Sequence, residues 1–173
     1  PFSGDELDHA ETRRTPEELE FFIKQDDAQC LCIYNGSVAI NISGGLKLIH
    51  PSKLIGKKIN DPGPIFLGIR NNTPLFSASL VEPDEIKEDL IFEDLRKASK
   101  FLTPQDMSVA GRAKSLLDWH INNRFCPKCG QITQPRSGGI KRECNRCSTE
   151  HFPRVNPVVI MLIISNDKVL LGR

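Results

Sequence analysis

Two helices can be read from capping residues that precede apolar positions at helical spacing. Thr15-Pro16-Glu17-Glu18 places threonine at an N-cap and proline at the first helical position, and it predicts a short helix over 16–23. Thr103-Pro104-Gln105-Asp106 predicts a longer helix over 103–122. The apolar positions of this second helix recur at i, i+3 and i+4, and they are Val109, Ala113, Leu116, Leu117 and His120 or Ile121.

Short apolar runs between these helices predict strands, at 30–34, 37–42, 46–49, 65–69 and 75–81. Asn35-Gly36 separates the first two runs and is the dipeptide most typical of a two-residue hairpin. The polar segment 71–74 separates the last two and predicts a second hairpin. Residues 1–81 therefore form a small predicted α+β domain, whereas the charged segment 82–100 indicates no particular element.

The C-terminal residues again show a strand pattern. The apolar runs 158–164 and 169–171 flank Asn166-Asp167 and predict strand, turn and strand. An apolar strand at the last residues of a soluble protein leaves an open sheet edge unless further strands cover it. We therefore expect this chain to be a fragment in which a second domain begins and is cut off.

Composition and charge narrow the class of protein. A chain of 173 residues with 39% hydrophobic and 26% charged residues is typical of one ordinary or two small globular domains, and not of a disordered tail or a membrane bundle. Its net charge of +1 hides an asymmetry, because residues 1–111 carry 12 basic and 18 acidic side chains and residues 112–173 carry 11 and 4. The basic part favours an anionic ligand such as phosphate, a nucleotide or nucleic acid, and the alternative is a solvated surface that is basic by chance.

No targeting or membrane segment is visible in the sequence. Residues 1–11 are acidic and lack the basic start and apolar stretch of a secretory signal. The apolar run 158–164 is far shorter than the roughly 20 residues of a membrane helix. We expect an intracellular protein without membrane contact, in the cytoplasm first, or in the peroxisome if a C-terminal address follows residue 173.

Four cysteines form the strongest chemical signal. They are two C-x2-C pairs separated by 14 residues, Cys126, Cys129, Cys144 and Cys147. Four thiolates at about 2.3 Å complete the tetrahedral shell of Zn²⁺ with no open position, so the spacing predicts a structural zinc ribbon with one ion per chain. The alternative, a disulfide within each pair, is disfavoured in a reducing compartment. His120 and His151 lie nearby in sequence, but the cysteines already complete the shell.

Zinc binding is expected to supply the free energy with which this segment folds. A ribbon of some 25 residues has too little core to fold without metal. The ribbon is also rich in basic residues that suit phosphate contacts, namely Lys128, Arg136, Lys141, Arg142, Arg146 and Arg154.

The remaining two cysteines, Cys30 and Cys32, alternate along the predicted strand 30–34. We expect one of them to face the core and the other to face the opposite surface. They form a C-x-C pair by spacing only, and we interpret them as structural.

Further residues before, between and after the two C-x2-C pairs form a longer motif together with the cysteines. They are Ala113, Leu116, Leu117, Trp119, His120, Phe125 and Gly130 near the first pair, Gly138, Gly139 and Arg142 between the pairs, and Phe152-Pro153-Arg154, Pro157-Val158-Val159-Ile160 and Leu170-Leu171-Gly172-Arg173 after the second. This combination resembles the NADH pyrophosphatase (NudC-like) branch of the Nudix hydrolases. The resemblance is close over 112–173, and over 1–111 it extends only to the layout.

The resemblance implies an α+β chain in three parts. These are a small N-terminal mixed α/β domain of degenerate Nudix type, a four-cysteine zinc ribbon, and the first strands of a Nudix domain. The N-terminal domain is expected at 1–102, the ribbon at 124–153 and the start of the Nudix domain at 154–173. A linking helix at 103–123 joins the first two parts.

The resemblance also implies an activity, the hydrolysis of NADH or NAD⁺ to nicotinamide mononucleotide and AMP. Some members of the family remove NAD caps from RNA, and members are homodimers whose active sites draw on both subunits. The family uses Mg²⁺ or Mn²⁺ held by glutamates of the signature G-x5-E-x7-R-E-x2-E-E-x-G. This signature occurs nowhere in the sequence, and the acidic segment 82–94 lacks its Arg-Glu pair and glycines. No catalytic residue is assigned, and this chain alone is expected to hydrolyse nothing.

Two substrate contacts follow from the resemblance. The family has an aromatic residue before the proline that follows the ribbon, which stacks on a base of the dinucleotide, and Phe152 occupies that position. The family's N-terminal domain lends an arginine, for which Arg96 is the nearest match and Lys97 the match after a shift of one residue. The alternatives are a core aromatic for Phe152 and a solvated helix face for Arg96.

Two other classes of function compete with this hypothesis. A zinc-ribbon nucleic-acid-binding module is supported by the basic ribbon and Phe152, and it predicts salt-dependent binding of RNA or DNA. A non-enzymatic dimerisation module built on the helix 103–122 predicts a stable dimer without affinity for nucleotides.

Overall fold

The computed structural model of the protein describes residues 6–83, 86, 90–156 and 158–171. Its helices are α1 (Pro16–Ile23), α2 (Leu95–Ala98) and α3 (Pro104–Asn122), with short 3₁₀ helices at Pro51–Leu54 and Ser137–Gly139. Its strands are β1 (Gln29–Tyr34), β2 (Ser37–Ile40), β3 (Leu48–Ile49), β4 (Ile65–Arg70), β5 (Thr73–Leu80), β6 (Ile91–Glu93), β7 (Thr133–Arg136), β8 (Lys141–Cys144), β9 (Glu150–His151), β10 (Ile164–Ser165) and β11 (Lys168–Val169). Within these ranges, no helix combines the length and the apolar character needed to cross a bilayer.

The larger sheet contains six strands in the order β4-β5-β1-β2-β6, and β3 pairs with β1. Strands β1 and β5 are parallel, and the other pairs are antiparallel. Both predicted hairpins are present. Asn35 and Gly36 have φ angles of 46° and 75°, and Asn71 and Asn72 have 51° and 66°. Both turns therefore use two left-handed residues, the geometry that matches the right-handed twist of a hairpin.

The core lies between this sheet and the helices. The Phe22 ring of α1 stacks on Phe66 of β4, and Phe66 in turn contacts Phe76 of β5, each at 5.2 Å between ring centroids. Thr15 caps α1 and Thr103 caps α3 as predicted, each accepting a hydrogen bond from a backbone N–H in the first turn. Helix α3 buries one face, including Val109, Ala113, Leu117 and His120. Of the two alternatives at the end of this face, His120 is buried and Ile121 is exposed.

The prediction for Cys30 and Cys32 was wrong. Both side chains are buried, with 0% and 1% exposure, and neither faces an outer surface. Residues two apart in a strand point to the same face, and β1 is a central strand of the sheet. The hydrogen bond with Cys32, together with burial, raises the pKa of the Cys30 thiol well above its ordinary value.

The segment 82–100 contains β6, which pairs with β2, followed by α2 capped by Asp94. Residues 84, 85 and 87–89 of that segment lie outside the described residues.

The C-terminal strands are shorter than predicted. Strands β10 and β11 form a hairpin around Asn166, whose φ is 54°. The prediction that the first strand starts at residue 158 was wrong, because β10 begins at Ile164. Among the described residues no strand pairs with 158–163, and these apolar side chains are exposed. Residues 157, 172 and 173 lie outside the described residues.

The three strands β7, β8 and β9 form a separate antiparallel sheet, and the two cysteine-containing turns, 126–130 and 144–148, lie next to its strands. The 3₁₀ helix Ser137–Gly139 joins β7 to β8 and packs on β4, because Gly138 lies against Phe66 and Gly139 against Ile65. The predicted fold class, α+β with a small mixed domain and a ribbon, is confirmed. The bounds of the four predicted segments stay predictions.

Candidate functional site

Each C-x2-C pair lies on a tight turn with the same backbone pattern. The N–H of Gly130 donates to the carbonyl of Cys126 at 2.8 Å, and the N–H of Ser148 donates to the carbonyl of Cys144 at 3.0 Å. Both donors have left-handed φ angles, 74° for Gly130 and 52° for Ser148. The two turns therefore present their thiols in the same way, and strands β7 and β8 bring the turns together.

The four sulfur atoms converge as a zinc shell requires. All four lie within 4.8 Å of one another. The Sγ–Sγ distances are 3.7 Å from Cys126 to Cys147, 3.4 Å from Cys129 to Cys144 and 3.5 Å from Cys129 to Cys147. A tetrahedron with zinc–sulfur bonds of about 2.3 Å has edges of about 3.8 Å, so these four residues fit Zn²⁺ with little adjustment. The four cysteines form a structural zinc site without an open position.

Hydrogen bonds within the cluster distribute the thiol protons unevenly. The hydroxyl and backbone of Thr149 lower the pKa of Cys147 to about 6. The backbone of Gln131 lowers the pKa of Cys129, but hydrogen bonding to Cys144 and burial outweigh it and raise this pKa to about 12. The Cys129 thiol donates a hydrogen bond to Sγ of Cys147. Zinc binding displaces the remaining protons, as it does for any thiolate ligand.

Neither histidine near the cluster is a ligand. The imidazole of His120 is fully buried and bonds instead to Gly139 and Arg142. His151 lies on β9, opposite Arg142 of β8. Among the described residues, the four cysteines are the one group of possible ligands whose atoms converge.

The expectation that all six basic ribbon residues suit phosphate contacts was wrong for Arg142. Its side chain is 1% exposed and donates hydrogen bonds to Thr133 and His120 and to Asp61, 81 residues away in sequence. Arg142 faces inward because it lies two residues before the buried ligand Cys144 on the same strand. Sequence reasoning could have used this alternation with Cys144, but nothing local indicates Asp61 as a partner.

Of the other basic residues of the ribbon, four are exposed and Lys141 is partly buried; the exposed ones are Lys128, Arg136, Arg146 and Arg154. Arg136 pairs with Glu143 at 3.1 Å, and Lys141 pairs with Glu150. Within the described part of the chain, Lys128, Arg146 and Arg154 form no ion pair, and neither does Arg124, which directly precedes Phe125.

A cavity of about 560 Å³ opens beside the zinc site where the ribbon ends. Phe152 is on its wall and is 55% exposed, so its ring is available to a ligand. The remaining lining residues come from the end of α3, the first cysteine turn and the chain around β9, and they are Trp119, Asn123, Pro127, Glu150, His151, Pro153 and Arg154. The arrangement places an aromatic face, a guanidinium group and a carboxylate around one opening.

Arg96 lies on α2 and is exposed. It is not among the residues that line the Phe152 cavity. Its neighbour Lys97 pairs with Glu93 at 3.6 Å between nitrogen and oxygen. The structure of this chain thus does not bring Arg96 and Phe152 to one cavity, and the substrate roles of both residues stay predictions.

The fold and the site define a zinc ribbon attached to a small α+β domain. Residues 23–119, more than half of the chain, match the family model of the NADH pyrophosphatase-like rudimentary NUDIX domain. Residues 121–152 match the NADH pyrophosphatase zinc ribbon domain. The chain belongs to the NADH pyrophosphatase family of Nudix proteins.

Individual relatives agree with this assignment. The chain is 32% identical over 134 residues to Nudix hydrolase 19, chloroplastic, of Arabidopsis thaliana, a match that covers 68% of this chain and 31% of that protein. It is 42% identical over 82 residues to the human NAD-capped RNA hydrolase NUDT12, covering 42% of this chain and 18% of the relative. It is 37% identical over 100 residues to the human mitochondrial NAD(P)H pyrophosphatase NUDT13, covering 56% and 28%. The chain thus spans less than a third of each of these three proteins.

Proposed function

We propose that the protein to which this sequence belongs hydrolyses the pyrophosphate bond of NADH or NAD⁺ and releases nicotinamide mononucleotide and AMP. In this reaction water adds to one phosphorus atom and the bridging P–O bond breaks. The observation that carries the proposal is the tandem match, because a rudimentary Nudix domain followed directly by this zinc ribbon is the arrangement of NADH pyrophosphatases. The names of the human relatives support the same substrate class.

The described residues supply binding rather than chemistry in this proposal. The base of the dinucleotide stacks on Phe152, Arg154 lies next to the phosphates, and Arg96 is a further substrate contact. The reaction of this family uses Mg²⁺ or Mn²⁺, but no group of carboxylates among the described residues converges as such an ion requires. No described residue is assigned to the catalytic ion.

NAD-capped RNA is a second candidate substrate. It is favoured by the exposed basic residues that form no ion pair in the described part of the chain, which are Arg124, Lys128, Arg146 and Arg154. Salt-dependent binding of uncapped RNA by this chain would support a nucleic-acid-binding role for the ribbon. If only capped RNA is bound, the cavity that contains Phe152 recognises the NAD cap.

Two further properties belong to the proposal. The protein forms a homodimer, which light scattering after size-exclusion chromatography would detect. It resides inside the cell, in the cytoplasm or in the peroxisome, where a reducing environment keeps the four zinc-binding thiols available.

The test is product analysis with two proteins, this chain alone and the same chain extended by a segment with the Nudix signature. With NADH and Mg²⁺ or Mn²⁺, the extended protein is expected to release AMP, and this chain alone is expected to release none. EDTA should stop the release of AMP. If the extended protein cleaves another nucleotide but leaves NADH and NAD⁺ intact, the proposal is wrong. If this chain alone turns over NADH, it contains an active site that the sequence does not indicate.

A further inference from the structure

A buried hydrogen-bond network connects the ribbon to the rest of the molecule. The guanidinium group of Arg142 donates to the hydroxyl of Thr133 at 2.7 Å and to its carbonyl at 2.8 Å. The same group donates to Asp61 Oδ2 at 2.9 Å and to His120 Nδ1 at 3.0 Å. His120 Nε2 lies 2.8 Å from the carbonyl of Gly139. One arginine of the ribbon thus contacts helix α3 and the segment that precedes β4.

The partners of His120 determine where its proton lies. An arginine side chain has donors and no acceptor, so Nδ1 must accept the bond from Arg142. The carbonyl of Gly139 can only accept, so Nε2 must carry the hydrogen. The network as built therefore contains a neutral imidazole. A second proton would have to occupy Nδ1, where its N–H would point at an N–H of Arg142 across 3.0 Å.

The surroundings of His120 make this second proton costly. The side chain is 0% exposed, so water cannot solvate the imidazolium form. In the described part of the chain, the charged groups that act on the ring are Arg142 of β8 and Asp61 of the segment before β4. Asp61 favours the imidazolium, but its carboxylate already pairs with Arg142 and is partly solvated. Burial first, and then Arg142, keep the pKa of His120 below its ordinary value of about 6.5.

We propose that His120 is an acid-sensitive latch that holds the zinc ribbon on the N-terminal domain. The latch consists of His120, Arg142, Asp61 and the carbonyl of Gly139. With a neutral imidazole, all of its hydrogen bonds are formed and the ribbon is docked. When the pH falls, the imidazolium repels Arg142, and the ribbon separates from β4 at Gly139.

The sign of the effect follows from proton linkage. The undocked state, in which water reaches His120, binds a proton near the ordinary pKa of about 6.5, whereas the docked state resists it. Docking is therefore fully favoured above about pH 6.5 and weakens as the pH falls below that value, by at most about tenfold per pH unit for one proton.

Trp119 lies between the latch and the cavity that contains Phe152, and its fluorescence reports the state of the latch. Its ring lies 4.7 Å from the His120 ring, between centroids, and it also lines the cavity that contains Phe152. It is the single tryptophan of the sequence. Protonation of His120 therefore changes the environment of the one tryptophan, and undocking moves one wall of the cavity. The latch does not require hydrolysis of any nucleotide.

The test compares three zinc-loaded proteins between pH 7.5 and 5.5. They are the unchanged chain, the variant His120→Gln, and a triple variant in which His9, His50 and His151 are replaced by glutamine. The sequence has four histidines, so His120 is the only histidine left in the triple variant. Hydrogen-exchange protection factors, corrected for the intrinsic effect of pH, are measured for β7 and β8 and for β5. Tryptophan fluorescence and retained zinc are recorded in the same samples.

In the unchanged chain and in the triple variant, the protection of β7 and β8 should fall by about tenfold at pH 5.5, with one fluorescence transition and zinc still bound. Strand β5 should keep its protection. His120→Gln should remove the pH dependence of both signals. The proposal is wrong if His120→Gln keeps the pH dependence, if the triple variant loses it, or if protection falls only together with zinc release. Should His120→Gln fail to fold, the triple variant decides alone, because its only histidine is His120.

Discussion

Gly139 lies so close to Ile65 that a Cβ atom on the glycine would be 2.5 Å from Cγ2 of Ile65. The φ angle of Gly139 is 91°, a left-handed value that side chains other than glycine rarely adopt. Both the space and the backbone therefore require glycine at the point where the ribbon meets β4. The contact involves the same residue whose carbonyl receives the hydrogen bond from His120.

The first prediction concerns this contact. Gly139→Ala should destabilise the chain by about 1 to 3 kcal/mol more than Gly56→Ala, because it adds overpacking to backbone strain. Gly56 is a matched control, since its φ is 74° but a Cβ there meets no atom within 4 Å. Urea unfolding with zinc present measures both changes. Equal losses for the two variants would show that Ile65 can move aside.

The structure confirms several elements whose signals are local in sequence. The Asn35-Gly36 turn can be predicted because two left-handed residues in succession restrict the choice of amino acids strongly. The caps of α1 and α3 can also be predicted from local sequence, since the N–H donor lies three residues after the threonine whose side-chain oxygen accepts its hydrogen bond. The zinc site could be predicted residue by residue, because each pair is confined to one turn.

The features that could not be predicted depend on contacts between distant segments. The parallel pairing of β1 with β5 joins residues more than 40 positions apart, and no local pattern indicates it. Arg142 was expected at the surface because its partner Asp61 is 81 residues away in sequence.

The error at Cys30 and Cys32 has a different cause. Their alternation along the strand was visible in the sequence, but residues two apart in a strand share one face and do not lie on two.

The second prediction tests the burial of Arg142. Arg142→Leu should lower the free energy of unfolding by about 3 to 5 kcal/mol, because it leaves buried partners of the guanidinium group unsatisfied. Arg136→Leu is the control, because Arg136 is an exposed arginine in a surface ion pair on the same sheet. Its loss should be about 1 kcal/mol or less. Chemical denaturation with zinc present distinguishes the two, and a similar small loss for both would contradict the buried network.

The third prediction is one tightly bound zinc ion per chain. Cys144→Ser should abolish stoichiometric zinc and unfold the ribbon, because the ribbon has too small a core to fold without metal. Cys30→Ala serves as the control, since it removes a buried thiol of the larger sheet that is not a ligand. It should destabilise the chain but keep the zinc. Elemental analysis of protein purified without chelators measures the metal, and zinc retained by Cys144→Ser would overturn the ligand assignment.

The last prediction concerns Phe152 in the protein that carries the Nudix signature. Pro153 restricts the backbone of Phe152 to extended geometry, so the direction of the ring is set relative to the ribbon. Stacking of a base on an aromatic ring contributes about 1 to 3 kcal/mol, so Phe152→Ala should weaken binding or turnover of NADH by about 5- to 150-fold. Because the ring is 55% exposed, zinc content and melting temperature should change little, and Phe152→Tyr should be tolerated. Phe125→Ala is the matched control, because Phe125 is 65% exposed and does not line the cavity, and it should leave the kinetics unchanged. If Phe152→Ala instead lowers the melting temperature sharply while the folded enzyme keeps its kinetics, the ring is part of the core and does not contact substrate.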